Sequence, residues 1–316
     1  MKKDKKRLIV IYGTTSSGKT SKAVKMAYEL DAEIVSADSR QVYKYMDIGS
    51  GKDLKEYVYK DKKIPYHCID IVHPDTNFNL KKYQKKAFQA LKDIYKRDKN
   101  AILCGGTGLY IEAVINEKYF LDEEVIDIHL RKGLSEKTKE ELQNILKNKD
   151  KEKFLSLNNS DLNNPRRLIR YIEKTYNTKN QTREKYLKIL DNFVIEKIEI
   201  KPTKDVLEKN IEKRADVRFK EGMIEEVWNL HFKYGITWKR LIEFGLEYTV
   251  ISEFIINFVF SNTNFDKKEI KIKNNYFPIY EIVKEKEEFK KMRDDLIQKT
   301  KNYVKRQETW NRKYRN

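Results

Sequence analysis

Arg7-Leu8-Ile9-Val10-Ile11-Tyr12 runs directly into Gly13-Thr14-Thr15-Ser16-Ser17-Gly18-Lys19-Thr20, and the fold is decided by this junction. The apolar, β-branched half predicts a short strand buried on both faces, as in a parallel sheet. The second half matches G-x-x-x-x-G-K-[ST] in full. Its glycines allow a tight turn in which successive backbone N–H groups point at phosphate oxygens. Ala23, Val24, Ala27 and Leu30 then recur at helical spacing, which predicts a helix whose N-terminus adds its positive end to the loop. Lys19 supplies a mobile cation and the Thr20 hydroxyl suits Mg²⁺. Such a loop indicates a polyphosphate with Mg²⁺ and names neither ATP nor a reaction. Gly49-Ser50-Gly51-Lys52 is not a second copy, because Met46 stands where the first glycine belongs and Asp53 replaces the hydroxyl residue.

Outward from this junction, Glu33–Ala37, Pro65–Val72 and Ala101–Cys104 read as further strands, with a helix over Leu80–Tyr95 and another after Gly105-Gly106-Thr107-Gly108. Strands alternating with helices predict an α/β fold, a P-loop NTPase-like parallel sheet flanked by helices. Between residues 122 and 191 glycine nearly vanishes and charges crowd, which predicts a helical insertion domain. Phe193–Ile200 resumes a strand pattern. The expected division is a core of 1–121 and 192–316, carrying basic C-terminal helices, around an insertion of 122–191. Helices are expected at Val206–Lys220, Met223–Phe232, Trp238–Phe244 and Lys286–Lys313, and a polar loop at Phe265–Phe277.

The chain has 316 residues and a formal charge of +18, with 37% charged residues against 39% hydrophobic. That composition supports a packed core and excludes wholesale disorder. No apolar run approaches the ~20 residues of a membrane span, and the charged start from Met1 to Arg7 lacks a secretory signal. Two cysteines, Cys68 and Cys104, make neither a disulfide framework nor a four-thiolate zinc site. A soluble, cytoplasmic monomer is the expectation. The basic excess suits a polyanionic partner, although lysines spread over a solvated surface give the same total.

Several residues suit the acceptor side of a group transfer. Asp38 follows the second strand, at the sheet edge where α/β ligands gather, and can take a proton from an acceptor. A helix cap or an Mg²⁺ ligand is the competing role. Ser39, Arg40 and Gln41 add donors for a base edge or a phosphate. Thr107 opens a helix at another strand end, where it either binds the reacting group or merely caps. Arg166, Arg167 and Arg170 form a cationic ridge suited to RNA phosphates, or a solvated basic face. Tyr303, Gln307 and Trp310 lie among Lys305, Arg306 and Arg312, where the aromatics either stack on bases or dock the helix on the core. The four histidines show no metal spacing.

Together these segments resemble the tRNA dimethylallyltransferase (tRNA isopentenyltransferase) family, in its shorter bacterial form. The resemblance lies in Gly13–Thr20, in Asp38-Ser39-Arg40-Gln41-Val42-Tyr43 continued by Met46-Asp47-Ile48-Gly49, and in His67-Cys68-Ile69-Asp70-Ile71. It continues in Gly105–Tyr110, in Arg166-Arg167-Leu168-Ile169-Arg170, and in Lys305-Arg306-Gln307-Glu308-Thr309-Trp310. It implies transfer of a dimethylallyl group from dimethylallyl diphosphate to N6 of the adenine beside the anticodon, with release of diphosphate. By the same resemblance Asp38, Thr107, Lys19 and Arg131 stand at the reacting groups. The RNA contacts are then Asp38–Gln41, Thr107, Arg131, Arg166, Arg167, Leu168, Ile169, Arg170, Lys305, Arg306 and Gln307, with Thr20 on Mg²⁺. Two departures stand out. Tyr45 occupies a place where the family usually has glycine, and Phe244-Gly245-Leu246-Glu247-Tyr248 lacks a family lysine. A small-molecule kinase, or an enzyme prenylating free AMP or ATP, would use the same loop without needing the basic ridge.

Overall fold

Leu8, Ile9, Val10 and Ile11 have no exposed surface, because their strand, β1 (Lys6–Gly13), runs through the middle of a parallel sheet. The computed structural model describes residues 4–120, 128–176, 181–259 and 279–314. It comprises two units, Met1–Asn116 with Ile189–Asn316, and Glu117–Lys188.

In the first unit, β1 leads into α1 (Lys19–Glu29) and β2 (Ala32–Ser36). A small antiparallel hairpin follows, β3 (Val58–Tyr59) and β4 (Lys62–Lys63), then β5 (Tyr66–His67), α2 (Leu80–Lys96), β6 (Asn100–Gly105) and α3 (Gly108–Ile115). The expected strand over Pro65–Val72 is cut to two residues. Cys68 and Asp70 adopt left-handed backbone, φ 64° and 54°, which ends the extended run. After the second unit the chain returns as β7 (Phe193–Ile200). The sheet order is β5-β2-β6-β1-β7, parallel throughout. Ile9, Ile11, Ile34 and Ile102 from three strands pack against Ala23, Val24 and Ala27 of α1, so the spacing seen in the sequence is the buried face of that helix.

Register sets where the functional loops emerge. Tyr12 pairs with Gly105, and Ser36 with Cys104, so β1, β2 and β6 end at one level. A β-carbon on Gly105 would lie 2.2 Å from the Ala37 carbonyl oxygen. Only a bare α-carbon lets the two strand ends close.

The second unit is helical, as expected: α4 (Ile128–Ser135), α5 (Lys139–Lys149), α6 (Lys151–Leu155), α7 (Asn159–Leu162), α8 (Pro165–Tyr176) and the start of α9 (Gln181–Leu190). Its core joins Leu134, Leu142 and Leu146 to Leu168 and Ile172. A capping box between Thr138 and Glu141 starts α5.

The remaining helices belong to the first unit: α10 (Lys204–Lys220), α11 (Met223–Phe232), α12 (Trp238–Glu243), α13 (Glu247–Phe254), α14 (Ile279–Val283) and α15 (Glu287–Asn311). The long α15 packs beside α10 and α13 and reaches β1 and α3. The loop expected over Phe265–Phe277 lies outside the described residues. Among the described residues no helix is long and apolar enough to cross a membrane.

The close approach at Gly105 has a measurable consequence. Gly105→Ala forces a methyl into strand backbone and should cost about 1–3 kcal/mol of stability. It is read as a lower urea midpoint at unchanged m-value, and an unchanged midpoint would show that the strand ends separate freely.

Candidate active site

The phosphate loop joins β1 to α1 and is shaped by its glycines. Gly18 is the N-cap of α1 at φ 84°, a left-handed backbone that side chains rarely tolerate. A β-carbon at Gly13 would lie 2.4 Å from the Ile200 carbonyl oxygen at the end of β7. Lys19 folds back, its Nζ donating to the Thr14 carbonyl and, at 3.5 Å, to Ser17 Oγ. Burial lowers its pKa to about 8, with Arg214 adding to that effect, while Cys104 and Asp38 oppose it. An ammonium held this way takes up an anion's charge readily.

Asp38 sits just past β2. Its Oδ1 accepts from the Arg40 N–H at 2.9 Å, so one carboxylate oxygen shapes the local turn. Thr107 is the N-cap of α3, yet its hydroxyl makes no capping bond. It accepts instead from the Ser39 N–H at 3.1 Å, while the Thr107 N–H donates to the Ala37 carbonyl at 3.1 Å. Thr107 therefore ties the α3 start to the Asp38 loop across the sheet edge.

One pocket is lined by Thr15, Lys19, Thr20, Asp38, Arg40, Gln41, Gly105, Gly106, Arg214, Arg218, Glu247, Tyr303 and Gln307, among others. It brings together much of the expected site and adds three residues that sequence reasoning missed. Arg214 and Arg218 stand four apart on α10, one turn apart on a face. Arg214 Nη1 donates to Thr15 Oγ1 at 3.1 Å. Burial and the neighbouring Arg218 lower the Arg214 pKa to about 10. Arg218 Nη1 is 3.2 Å from Glu247 Oε1, and its Nη2 is buried with no partner among the described residues. Glu247 opens α13 and also takes Arg40 Nη1 at 2.5 Å. Burial works to raise the Glu247 carboxyl, but Arg40 and Arg218 more than offset it, so its pKa lies below the usual range. The signal available was the i, i+4 arginine pair on a predicted helix. Glu247 stood in a segment remarkable only for a missing lysine.

Several residues expected on RNA are engaged inside the protein. Arg40 is ion-paired with Glu247, with its guanidinium 5.8 Å from the Tyr303 ring centre. Gln41 accepts from Ser36 Oγ at 2.8 Å and donates to the Gly51 carbonyl at 3.0 Å. Gln307 accepts from the Thr15 N–H and donates to the Gly106 carbonyl, both at 2.8 Å. It thereby clamps the phosphate loop to the loop before Thr107. Trp310 lies against Gly108, where a β-carbon would come within 2.9 Å of its ring. That contact docks the helix on the core. Lys305 and Arg306 remain exposed beside it.

In the second unit, Arg166 and Arg167 are exposed at the start of α8. Arg167 Nη1 pairs with Asp161 Oδ1 at 2.5 Å. Arg131 makes a bidentate pair with Glu173. Leu168, expected among the RNA contacts, is corrected. It has no exposed surface and belongs to the unit's core, because it falls on the apolar face of α8. Ile169 packs against the same core, and Arg170 is half-buried.

The loop after Asp38 keeps a glycine-like backbone despite its tyrosine. Tyr45 has φ 66°, and its ring stacks on Tyr234 at 4.1 Å with 10° between planes, a contact that offsets the backbone strain. Lys52 is fully buried, its ammonium held by Asp47 at 2.6 Å and by Asp70. It is thus structural, consistent with the absence of a second phosphate loop.

Comparisons with known proteins show the family. Residues 41–314 match the family model described as IPP transferase. The chain is 42% identical over 251 residues to tRNA dimethylallyltransferase 1 of Parabacteroides distasonis, covering 79% of this chain and 78% of that one. It is 36% identical over 312 residues to tRNA dimethylallyltransferase 2 of Treponema denticola, covering 98% and 93%. Among solved structures, the full-length tRNA isopentenylpyrophosphate transferase of Bacillus halodurans aligns with a TM-score of 0.59 at 27% identity, covering 98% of this chain and 87% of that one. A eukaryotic dimethylallyltransferase acting on tRNA aligns with a TM-score of 0.70 at 20% identity, over 96% and 69%, a likeness of fold. With the phosphate loop, the Asp38 loop and the buried arginines meeting in one pocket, and with relatives matching along most of its length, this chain belongs to the IPP transferase family.

Proposed function

We propose that this protein transfers a dimethylallyl group from dimethylallyl diphosphate to N6 of the adenine beside the anticodon of tRNA. The observation that carries this reading is the shared pocket: Lys19, Arg214 and Arg218, whose Nη2 has no partner among the described residues, line it together with Asp38. Cations gathered around a phosphate loop suit a diphosphate. A donor lacking an acceptor suits an anion that arrives with substrate.

Adenine N6 is a weak nucleophile, because its lone pair is delocalised into the ring. As the C–N bond forms, Asp38 accepts a proton from N6. As the allylic C–O bond breaks, the electron pair leaves on the diphosphate, where Lys19, Arg214 and Arg218 stabilise the charge. Thr107 holds the Ser39 backbone and so keeps Asp38 aimed at the acceptor. Thr20 lines the same pocket as Asp38. Mg²⁺ takes one or two protein oxygens plus substrate phosphates and waters, so this donor set fits the ion. When bound, the ion supplies charge neutralisation on the diphosphate. Exposed Lys305 and Arg306 of the first unit and, separately, exposed Arg166 and Arg167 of the second are cations available to RNA phosphates. The target base must leave its stack to reach the pocket. The names of the relatives favour tRNA as acceptor over a kinase substrate or a free nucleotide. We place the enzyme in the cytoplasm as a monomer.

Three measurements test this. Asp38→Asn keeps the Oδ1 acceptor for Arg40 and removes only basicity. Single-turnover transfer should fall by about 10²–10⁴-fold with both substrates still bound, and a rate within a few-fold of wild type would reduce Asp38 to a turn former. For Lys19, the free-protein pKa is about 8 and a bound diphosphate raises it. Diphosphate affinity should therefore be highest below pH 8 and fall as pH rises through it, with proton uptake visible by calorimetry in buffers of different ionisation heat. Binding without proton uptake near pH 8 would refute that role. Finally, Arg166→Ala and Lys305→Ala should each lower the salt slope of anticodon stem-loop binding by about one while leaving diphosphate affinity unchanged. Salt-independent binding, or equal prenylation of free AMP, would overturn the tRNA assignment.

A further inference from the structure

The loop from Asp47 to Gly51 forms part of the pocket wall, yet nothing in the proposed chemistry explains what holds it there. The backbone N–H groups of Asp47, Ile48 and Gly49 all donate to one carboxylate, that of Glu226, at 2.6, 2.6 and 2.9 Å. Tyr248 donates its hydroxyl to the same group at 2.9 Å. Consecutive N–H groups converging on one point make an anion-binding concavity of the kind that holds phosphate elsewhere. Here the protein fills the concavity with its own carboxylate. Glu226 stands in the first turns of α11, which begins at Gly222 with φ 100°, where the helix dipole favours an anion. Its neighbour Glu225 turns away and accepts from the Tyr280 N–H.

This loop is in turn the surface on which two site arginines rest. The Gly49 carbonyl accepts from Arg218 Nη1 at 3.4 Å. A β-carbon at Gly49 would meet the Tyr248 ring at 2.7 Å. One at Gly51, where φ is 65°, would lie 1.7 Å from Arg218 Nη2 and 2.0 Å from Arg214 Nη2. The bare backbone of the loop therefore sets how far both guanidiniums withdraw from the pocket. Buried Lys52, held by Asp47 and Asp70, anchors the following turn.

We propose that Glu226 is a positioning residue that sets Arg214 and Arg218 for the diphosphate by fixing the Asp47–Gly51 loop. This rests on the reading of the pocket as a diphosphate site. Glu226 does not line that pocket and acts through the loop. Removing its carboxylate leaves three backbone donors and a tyrosine hydroxyl without an acceptor. The loop must then shift, and the arginines lose their backing.

The test uses the full-length protein with Glu226→Ala and Glu226→Gln, each checked for its thermal midpoint. The probes are inorganic diphosphate with Mg²⁺, and an anticodon stem-loop. Glu226→Ala should weaken diphosphate binding about tenfold, a loss within the range of unpaired buried donors, and raise the KM for dimethylallyl diphosphate in parallel. Stem-loop affinity should stay within about twofold, because no RNA-facing group is touched. Added formate should refill the vacated concavity and restore diphosphate affinity in Glu226→Ala while leaving wild type unaffected. Glu226→Gln retains one acceptor oxygen and should fall between the two. Wild-type diphosphate affinity in folded Glu226→Ala would overturn the proposal. So would equal losses of both ligands without formate rescue, the mark of general damage. If Glu226→Ala fails to fold, Glu226→Gln decides, and wild-type diphosphate affinity there would also overturn it. Because diphosphate binding needs no acceptor, these outcomes stand apart from any failure of the wild-type protein to prenylate tRNA.

Discussion

The close approach of two strand ends underlies the whole site. Gly105 and Ala37 meet backbone to backbone at the carboxyl edge of the sheet, so the loops carrying Lys19, Asp38 and Thr107 leave it at one level. Strand ends in a parallel sheet naturally gather ligands. Here the missing side chain brings them near enough for Thr107 to hold the Ser39 amide and for the Gln307 amide to span the phosphate loop and Gly106. Lys19, Thr20 and Asp38 thus line one pocket without belonging to one stretch of sequence.

Charge compensation governs the rest. Lys19, Arg40, Arg214 and Arg218 crowd around Asp38 and Glu247. Burying so many cations is costly unless each finds an anion. Arg40 shares Glu247 with Arg218 and Arg214 lies 3.8 Å from Asp53, yet Arg214 and Lys19 keep lowered pKa values and Arg218 Nη2 has no partner among the described residues. An anionic substrate, as proposed above, would complete the balance. The same logic separates the two glutamates of α11: Glu226 neutralises loop donors outside the pocket, whereas the pocket's own donors stay available.

The C-terminal helix illustrates how a motif can be right in position and different in role. Basic and aromatic residues at helical spacing allow either stacking on RNA or docking of the helix on the core. Gln307 and Trp310 bind the core, while Lys305, Arg306, Arg312 and Lys313 are exposed. Leu168 in the arginine ridge behaves alike, since α8 must present an apolar face to its own unit, while Arg166 and Arg167 are exposed. A linear motif does not distinguish these faces, because both recur every three to four residues.

Local chemistry made the core strands, the phosphate loop, the helical character of the insertion and the Asp38 segment legible from the sequence. Each depends on neighbours in the chain: a β-branched run before glycine, a glycine spacing that bends backbone, a helical period. Arg214, Arg218, Glu247 and Glu226 were not legible as site residues, since each gains its meaning from partners far away in sequence, such as Thr15 for Arg214 and Asp47–Gly49 for Glu226. The sequence by itself determined that Gly13–Thr20 forms a glycine-bent turn between a buried strand and a helix. Only the tertiary structure decided which cations surround it and which carboxylates hold them, because ion pairing and close backbone approach are set by distance in space, and sequence order does not encode that distance.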